Sequence, residues 1–455
     1  MLLNLLSIRQ KVPRAHEGFP PKYAGIFGAG FVMSAIIYKI ALEFTYFSVI
    51  GTRYAYQGFS IVDRGLLDVI INWGLYLSLV VLIAVLLSQR KISGVLFHVM
   101  FFLSAAPCLA YFSVSGKPVL YQVLVFFYWG LTALFLRIFK SVSFPSVRKV
   151  PREIVPAIPV LLLTVLLSAL MKIRYNGFHV QLELFDVYDL RGAAEGAFPP
   201  TVRYLINWSS LAFTVFGVVF AYQKRYHLVL LLFAAQWVLF SIDGMKSYLL
   251  SLPAALIAYA AFKKFNFSVL GLGLSAVLLV GASLVIFFEN PIVDFVFGYR
   301  IVFLPAFITG NFLEFFMVNS PDYLHQSILG RLGFVSQYSD PIPYLIDAYY
   351  GDGTASANTG LLGDAVANFG LFGVIIYPIF MAAYLRAADI VSDGLDIPIL
   401  SGIVVVLGNA LLNLAFFTFL LTGGGLFALF LVSVLRGYLV GAHHRRRMKC
   451  GIGSF

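Results

Sequence analysis

The run Asp294-Phe295-Val296-Phe297-Gly298-Tyr299-Arg300-Ile301-Val302-Phe303-Leu304-Pro305 decides how this chain is laid out. It is too apolar for a free loop, while Asp294 and Arg300 make it too charged for an ordinary lipid-facing span. An arginine beside hydrocarbon is costly unless it faces a wet or anionic place. The run is therefore expected to lie against the outer mouth of a cavity and to present Arg300 to an anionic ligand. It opens a long connection, 289–360, that also carries Glu314, Asp322, His325, Arg331, Asp340, Asp347 and Asp352.

Around it the chain is strongly apolar. Of 455 residues, 60% are hydrophobic and only 12% charged, too little polar surface for a soluble domain, so an all-α polytopic membrane protein is expected. The formal charge of +11 does not call for nucleic acid, because membrane proteins gather Lys and Arg in cytoplasmic loops. Cys108 falls in a span and Cys450 in the tail, an arrangement that suits neither a disulfide nor a thiolate metal site. The apolar run at Met1 is too short for a signal peptide, and its charges follow rather than precede it.

Apolar runs of about 20 residues, enough to cross the hydrocarbon as a helix, occur at 24–50, 66–88, 94–113, 118–139, 154–171, 204–222, 226–242, 247–262, 267–288, 361–385, 396–419 and 425–441. Basic residues mark every second connection: Lys22 before the first, then Arg90 and Lys91, Lys140 to Arg152, Lys224 and Arg225, Lys263 and Lys264, Arg386, and the tail from His443. The positive-inside rule then puts both termini in the cytoplasm. Two large connections, 172–203 and 289–360, fall on the far side, rich in Tyr, Phe, Leu and Ile. Long connections in a compact fold are usually functional or disordered, and this composition is not that of disorder. The chain 1–455 reads as one membrane domain with two structured external loops.

Three groups of residues could carry chemistry on that side. In the first loop, Arg191 follows Asp189 before a Gly-containing turn. It is either a solvated, locally paired charge or a fork for phosphate or a sugar acid. Between the seventh and eighth spans, Asp243 could cap the next helix. Lys246 in that helix's first turn could join the helix terminus in holding an anion, or could snorkel to the headgroups. The second loop offers Tyr299, Arg300, His325 and Arg331, then Asn358. Asp364 and Asn368, four apart, share one helix face and should point into the bundle. Gly363, Gly370, Gly271, Gly273 and Gly281 suit close helix packing. No zinc-site pattern, P-loop or Gly-x-Ser-x-Gly elbow occurs. Neither a metal nor another cofactor is expected.

Gly298-Tyr299-Arg300-Ile301 with Pro305, then Asn358-Thr359-Gly360, Asp364 and Asn368-Phe369-Gly370-Leu371-Phe372-Gly373-Val374, resembles the Wzy-type O-antigen polymerases. The span start Gly244-Met245-Lys246-Ser247-Tyr248 is similar to that family too. Neither Arg191 nor Arg300 has the Arg-x10-Gly spacing that some members repeat in two loops. The resemblance implies a GT-C-like glycosyltransferase of about twelve transmembrane helices in a bacterial inner membrane. It would join undecaprenyl-diphosphate-linked oligosaccharides, donor and acceptor, at the periplasmic face, with a polysaccharide chain-length regulator as a further partner. Arg300, Arg191 and Lys246 would meet the leaving diphosphate, backed by Arg331. Asp243, Asp189 or Asp364 would serve as base. An O-antigen ligase and a lipid-linked oligosaccharide flippase are the alternatives.

Overall fold

The computed structural model describes residues 24–87, 91–141, 157–177, 199–264, 269–327, 329–351, 356–357 and 360–436, with Gln181, Val187 and Leu439 besides. Every regular element among them is helical. A backbone in hydrocarbon has no water to bond, and a helix pairs its N–H and C=O groups within one segment. Helix α1 is Ala24–Thr45, carried on to Arg53 through a π segment at Tyr46–Ile50. Next come α2 (Leu66–Leu86), α3 (Ile92–Val114, with a π segment at Phe101–Ala105), α4 (Val119–Ser141) and α5 (Ala157–Asn176). Then follow α6 (Pro200–Tyr222), α7 (Tyr226–Asp243), α8 (Lys246–Lys264) and α9 (Leu270–Phe288). The last part holds α10 (Asp294–Val318), α11 (Ile342–Tyr350), α12 (Gly360–Phe369), α13 (Gly373–Val391), α14 (Ile397–Asn413), α15 (Phe416–Leu420) and α16 (425–436). Ten helical stretches among the described residues are long and apolar enough to cross a membrane. The protein is a polytopic membrane protein.

Polar contacts sort the connections into two ends. At the basic end, Lys140 and Ser93 meet Asp389, Lys91 and Arg436 meet Asp393, and the Tyr222 hydroxyl donates to Asp396. At the other end, called the site end, the connection 54–65 is joined to the α3–α4 turn. The Val62 N–H donates to the Val114 carbonyl at 3.2 Å, and Arg64 donates to Ser113. Helices α1 and α9 run side by side in the same direction; a Cβ on Gly271 would meet the Ser34 carbonyl, and one on Gly281 the backbone of Asp294. Gly363 likewise sits against Phe312. These three are the packing glycines their sequence setting suggests. Gly273 has nothing within 4 Å.

Three span readings are corrected. The connection 289–360 is not all loop, because α10 is a helix of 25 residues, about 37 Å long at the usual rise. It does not cross, however. Near its start Asp294 accepts from Tyr54, just past α1, and Glu314 near its end pairs with Lys117 in the α3–α4 turn. Both partners belong to the site end, so α10 lies across that end and the connection begins and finishes there.

The span expected at 361–385 is two helices. The Asn368 amide bonds the Tyr377 hydroxyl at 3.1 Å, whereas nine residues of one continuous helix would separate them by about 13 Å. The turn needs Gly370, at φ +56°, and Gly373, whose Cβ would collide with the Ala365 carbonyl. Gly370 is thus a turn residue rather than a packing one, and α13 alone runs from the turn to the basic end. The span expected at 396–419 stops at Asn413, where extended backbone at Leu414 ends α14.

Two substitutions test this architecture. Gly373→Ala should destabilise the detergent-solubilised protein by about 1–3 kcal/mol, as overpacking does, while Gly273→Ala leaves the thermal midpoint unchanged or slightly higher. At the basic end, the bond from Lys91 holds the Asp393 carboxyl below its usual range. Such a group adds stability above the ordinary carboxylate pKa, and that stability is lost as the pH falls through the folded value. Asp393→Asn should therefore lower the midpoint at neutral pH, by under about 1 kcal/mol for so exposed a pair. The difference should vanish on acidification.

Candidate functional site

The site end is built on charges carried into the bundle. Lys39, fully buried in α1, donates to Glu43 at 2.8 Å and to Asn72 at 2.5 Å, and lies 5.0 Å from the Trp73 ring centre. Asn72 in turn donates to the Leu109 carbonyl and to Gln122. Arg64 reaches in from the connection 54–65, donating to Glu43 at 3.3 Å and to Ser113 at 3.1 Å over the Phe47 ring. A buried charge needs a partner and satisfied hydrogen bonds, and this one has both. The network fastens the connection 54–65 onto α1, α3 and the bundle beneath. These residues were missed by sequence reasoning, although a Lys and a Glu four apart inside an apolar span is a legible helical ion pair.

That connection positions α10. Tyr54 stacks on Tyr299 at 4.3 Å between ring centres and donates to Asp294. Gln57 accepts from the Tyr299 hydroxyl. Asp294 is 1% exposed, with one oxygen unpartnered among the described residues and packed where a Cβ on Gly298 would stand 2.5 Å away. The first part of α10, Asp294–Phe303, is π-helical and packs on the π segments of α1 and α3. In an α-helix, residues five apart face about 140° away from each other. The π helix bonds i to i+5, and here Arg300 lies over the Phe295 ring at 5.2 Å. Arg300 is exposed and pairs with no carboxylate among the described residues. Arg53, which is near enough to act on Asp294, and Gln57, which bonds Tyr299, are exposed as well. Burial pushes the Tyr54 hydroxyl well above its usual pKa, and the Asp294 charge adds to this, so Tyr54 is a donor at any physiological pH.

A second polar corner lies where α6, α7 and α8 meet. The half-buried Asp243 accepts from the Met245 N–H at 3.0 Å and bonds the Tyr248 hydroxyl. Asp243 is the last residue of α7 and closes the turn that leads into α8. Tyr248 donates to Asn207 at 2.7 Å, and the exposed Arg203 is near enough to act on Tyr248. Lys246 opens α8, half-buried. Asn207 and Trp208 donate to the Thr422 and Leu421 carbonyls, which ties this corner to the turn after α15. The connection after α5 is fastened nearby: the Gln181 N–H donates to Ser241, Trp237 donates to the Gln181 carbonyl, and Val187 is buried against Phe240 and Leu249.

Asp364 and Asn368 lie between the two corners and are buried. Asp364 accepts from Asn368 at 2.7 Å and from the Phe416 N–H at 2.7 Å, and also bonds Tyr377. They hold α12 against α13 and α15, and the Asn368 carbonyls accept from the Tyr323 and Leu324 N–H groups besides. His325 is half-buried and stacks on Phe334. Arg331 lies in the short 3-10 turn Leu329–Leu332. Asp189, Arg191 and Asn358 lie outside the described residues. The structure therefore joins Tyr299 with Arg300, Asp243 with the start of α8, and Asp364 with Asn368. It gives the Arg300 and Asp243 corners separate sets of partners. No group of three His, Cys, Asp or Glu suited to a metal ion occurs among the described residues.

No protein-family model, curated protein or solved structure matches the chain.

The ion network makes its own forecast. Glu43→Gln strands Lys39 as an uncompensated buried charge and should cost about 3–5 kcal/mol. Adding Lys39→Met should recover most of that loss, as read from thermal unfolding of the two variants side by side.

Proposed function

We propose that this protein polymerises lipid-diphosphate-linked oligosaccharide units, transferring the growing glycan from one lipid carrier to a hydroxyl of the next unit. The observation that carries the reading is the pair of separate polar corners at one end of the bundle. One centres on Arg300 with Arg53, the other on Asp243 with Lys246 and Arg203. A polymerase must hold two lipid-linked substrates at once, and two corners on one face allow that. Lys91, Lys140, Lys224, Lys263 and Arg436 gather at the opposite end. By the positive-inside rule that end is cytoplasmic and the corners face the periplasm. The resemblance of Gly298 to Pro305 and of Asn358 to Val374 to the Wzy-type polymerases supports the same reading.

In the reaction, the bond from the donor sugar's anomeric carbon to the diphosphate oxygen breaks, and a bond forms from that carbon to the acceptor oxygen. The electron pair leaves with the lipid diphosphate, where cations stabilise the developing charge. Arg300 is suited to this by its exposure and its planar fork of donors. The acceptor's proton goes to a carboxylate. Asp243, half-buried and beside Lys246, fits that task better than Asp364, whose oxygens are bonded inside the fold.

A transporter of the same lipid-linked glycan is the second reading, favoured by the buried Lys39–Glu43–Arg64 network. Display of surface glycan on a gel separates the two. Deleting the gene for the polymerase should leave a single repeat unit on its acceptor without the ladder. Complete loss of surface glycan would favour the transporter or a ligase. Arg300→Ala should abolish the ladder while the protein stays in the membrane, and Arg300→Lys, keeping charge without the fork, should restore only short chains. A wild-type ladder from Arg300→Ala would sink the assignment.

A further inference from the structure

The connection between α10 and α11 is turned inside out. Asp322, 1% exposed, accepts from the Ser336 hydroxyl at 2.5 Å and from the Gln326 N–H at 2.7 Å. The Gln326 side chain donates to the Asp340 carbonyl and accepts from the Ile342 N–H. Tyr338 and Gln337 donate to the Ser320 carbonyl. The polar groups thus bond one another within the loop. Facing outward instead are Tyr323, Phe334, Leu332 at 71% and Val335 at 85% exposure. Among the described side chains, the exposed polar ones are Ser320 and Gln326 with the edge at Gln337, Ser339 and Asp340. A loop surrounded by water would show the reverse arrangement, and a contiguous exposed apolar patch marks an interaction surface.

Its position says what it meets. The N–H groups of Asp322, Tyr323 and Leu324 donate to Ala367 and Asn368 at the end of α12, and Pro321 packs on Gly370. Tyr323 and Leu324 take left-handed backbone, φ +55° and +66°, a strained conformation for residues with a Cβ. The pinned loop adjoins the turn Gly370–Phe372, where Leu371 and Phe372 are exposed. Phe372, Ile375 and Ile379 form one exposed apolar stripe along α13, which is lipid-facing in a protein of this class. The loop's apolar side continues the lipid-facing surface beyond the helix.

We propose that Tyr323, Leu332, Phe334 and Val335 insert into the bilayer leaflet at the site end, making 319–340 a lipid-binding loop that rides at headgroup level. The inserted side is apolar and the other edge polar, as for an element lying in the interface plane. The inference does not depend on the glycan reading.

It is tested with the full chain reconstituted in phosphatidylcholine vesicles, carrying Cys450→Ser so that the buried Cys108 is the sole remaining thiol. A fluorescent nitrobenzoxadiazole label is placed at Val335→Cys or at Asp340→Cys, with the unsubstituted background as control. Insertion predicts that nitroxide-bearing lipid quenches the label at 335 several-fold more than at 340, and that iodide in the outer water does the opposite. Equal iodide access at both positions would overturn the proposal. Shielding of position 335 from lipid and iodide alike would also overturn it, by showing that protein covers the patch. Because the labels are read in folded, reconstituted protein, misfolded variants are removed beforehand by size-exclusion chromatography. If neither position yields such protein, Phe334→Cys and Gln337→Cys give the same comparison.

Discussion

A full charge in a place without water governs how one end of this bundle is built. Lys39 is stable in the middle of α1 only because Glu43, Asn72 and the Trp73 ring surround it. Glu43 in turn draws in Arg64 from outside the span. Taking an ion pair out of water costs several kcal/mol per ion, which only good geometry offsets. The network is therefore exacting about where the connection 54–65 sits. Tyr54 and Gln57 belong to that connection and hold Asp294 and Tyr299. Lys117 secures the far end of α10 through Glu314. The placing of Arg300 follows from a buried lysine in a different helix.

The π geometry of Asp294–Phe303 adds a second constraint. π segments are rare and recur at functional sites, and here one packs on two others in α1 and α3. The wider turn puts Arg300 above Phe295 and leaves Asp294 tucked against Gly298. An aromatic ring beneath a guanidinium holds it by cation–π attraction without using up its donors.

The fold-back at Gly370 joins these features to the rest of the site end. With α12 doubled onto α13, Asp364 can bond the start of α15, whose following turn reaches Asn207 and Trp208 in the other corner. The same fold-back offers the carbonyls on which the inside-out loop hangs. Two corners, a bridging helix and an amphipathic loop thereby share one end of the bundle.

Composition and apolar runs were enough to establish a helical membrane protein. Most spans follow directly from the cost of burying an unpaired backbone in hydrocarbon. The odd character of the stretch from Asp294 to Pro305 was also legible, because hydropathy and charge conflict within it. What hydropathy could not decide was whether an apolar helix crosses the membrane or lies across one end, since both bury the same side chains. For α10 that was settled by where Tyr54 and Lys117 stand. Nor could it tell one long span from a hairpin at Gly370 and Gly373, because a glycine reads alike in a packed helix and in a turn. Asp364 and Asn368 looked like site residues for their polarity, yet tertiary contacts use that polarity to join three helices. The sequence by itself determined the solvent in which each segment is stable. Only the tertiary structure decided which charges meet, because a buried charge is placed by partners far away in the chain.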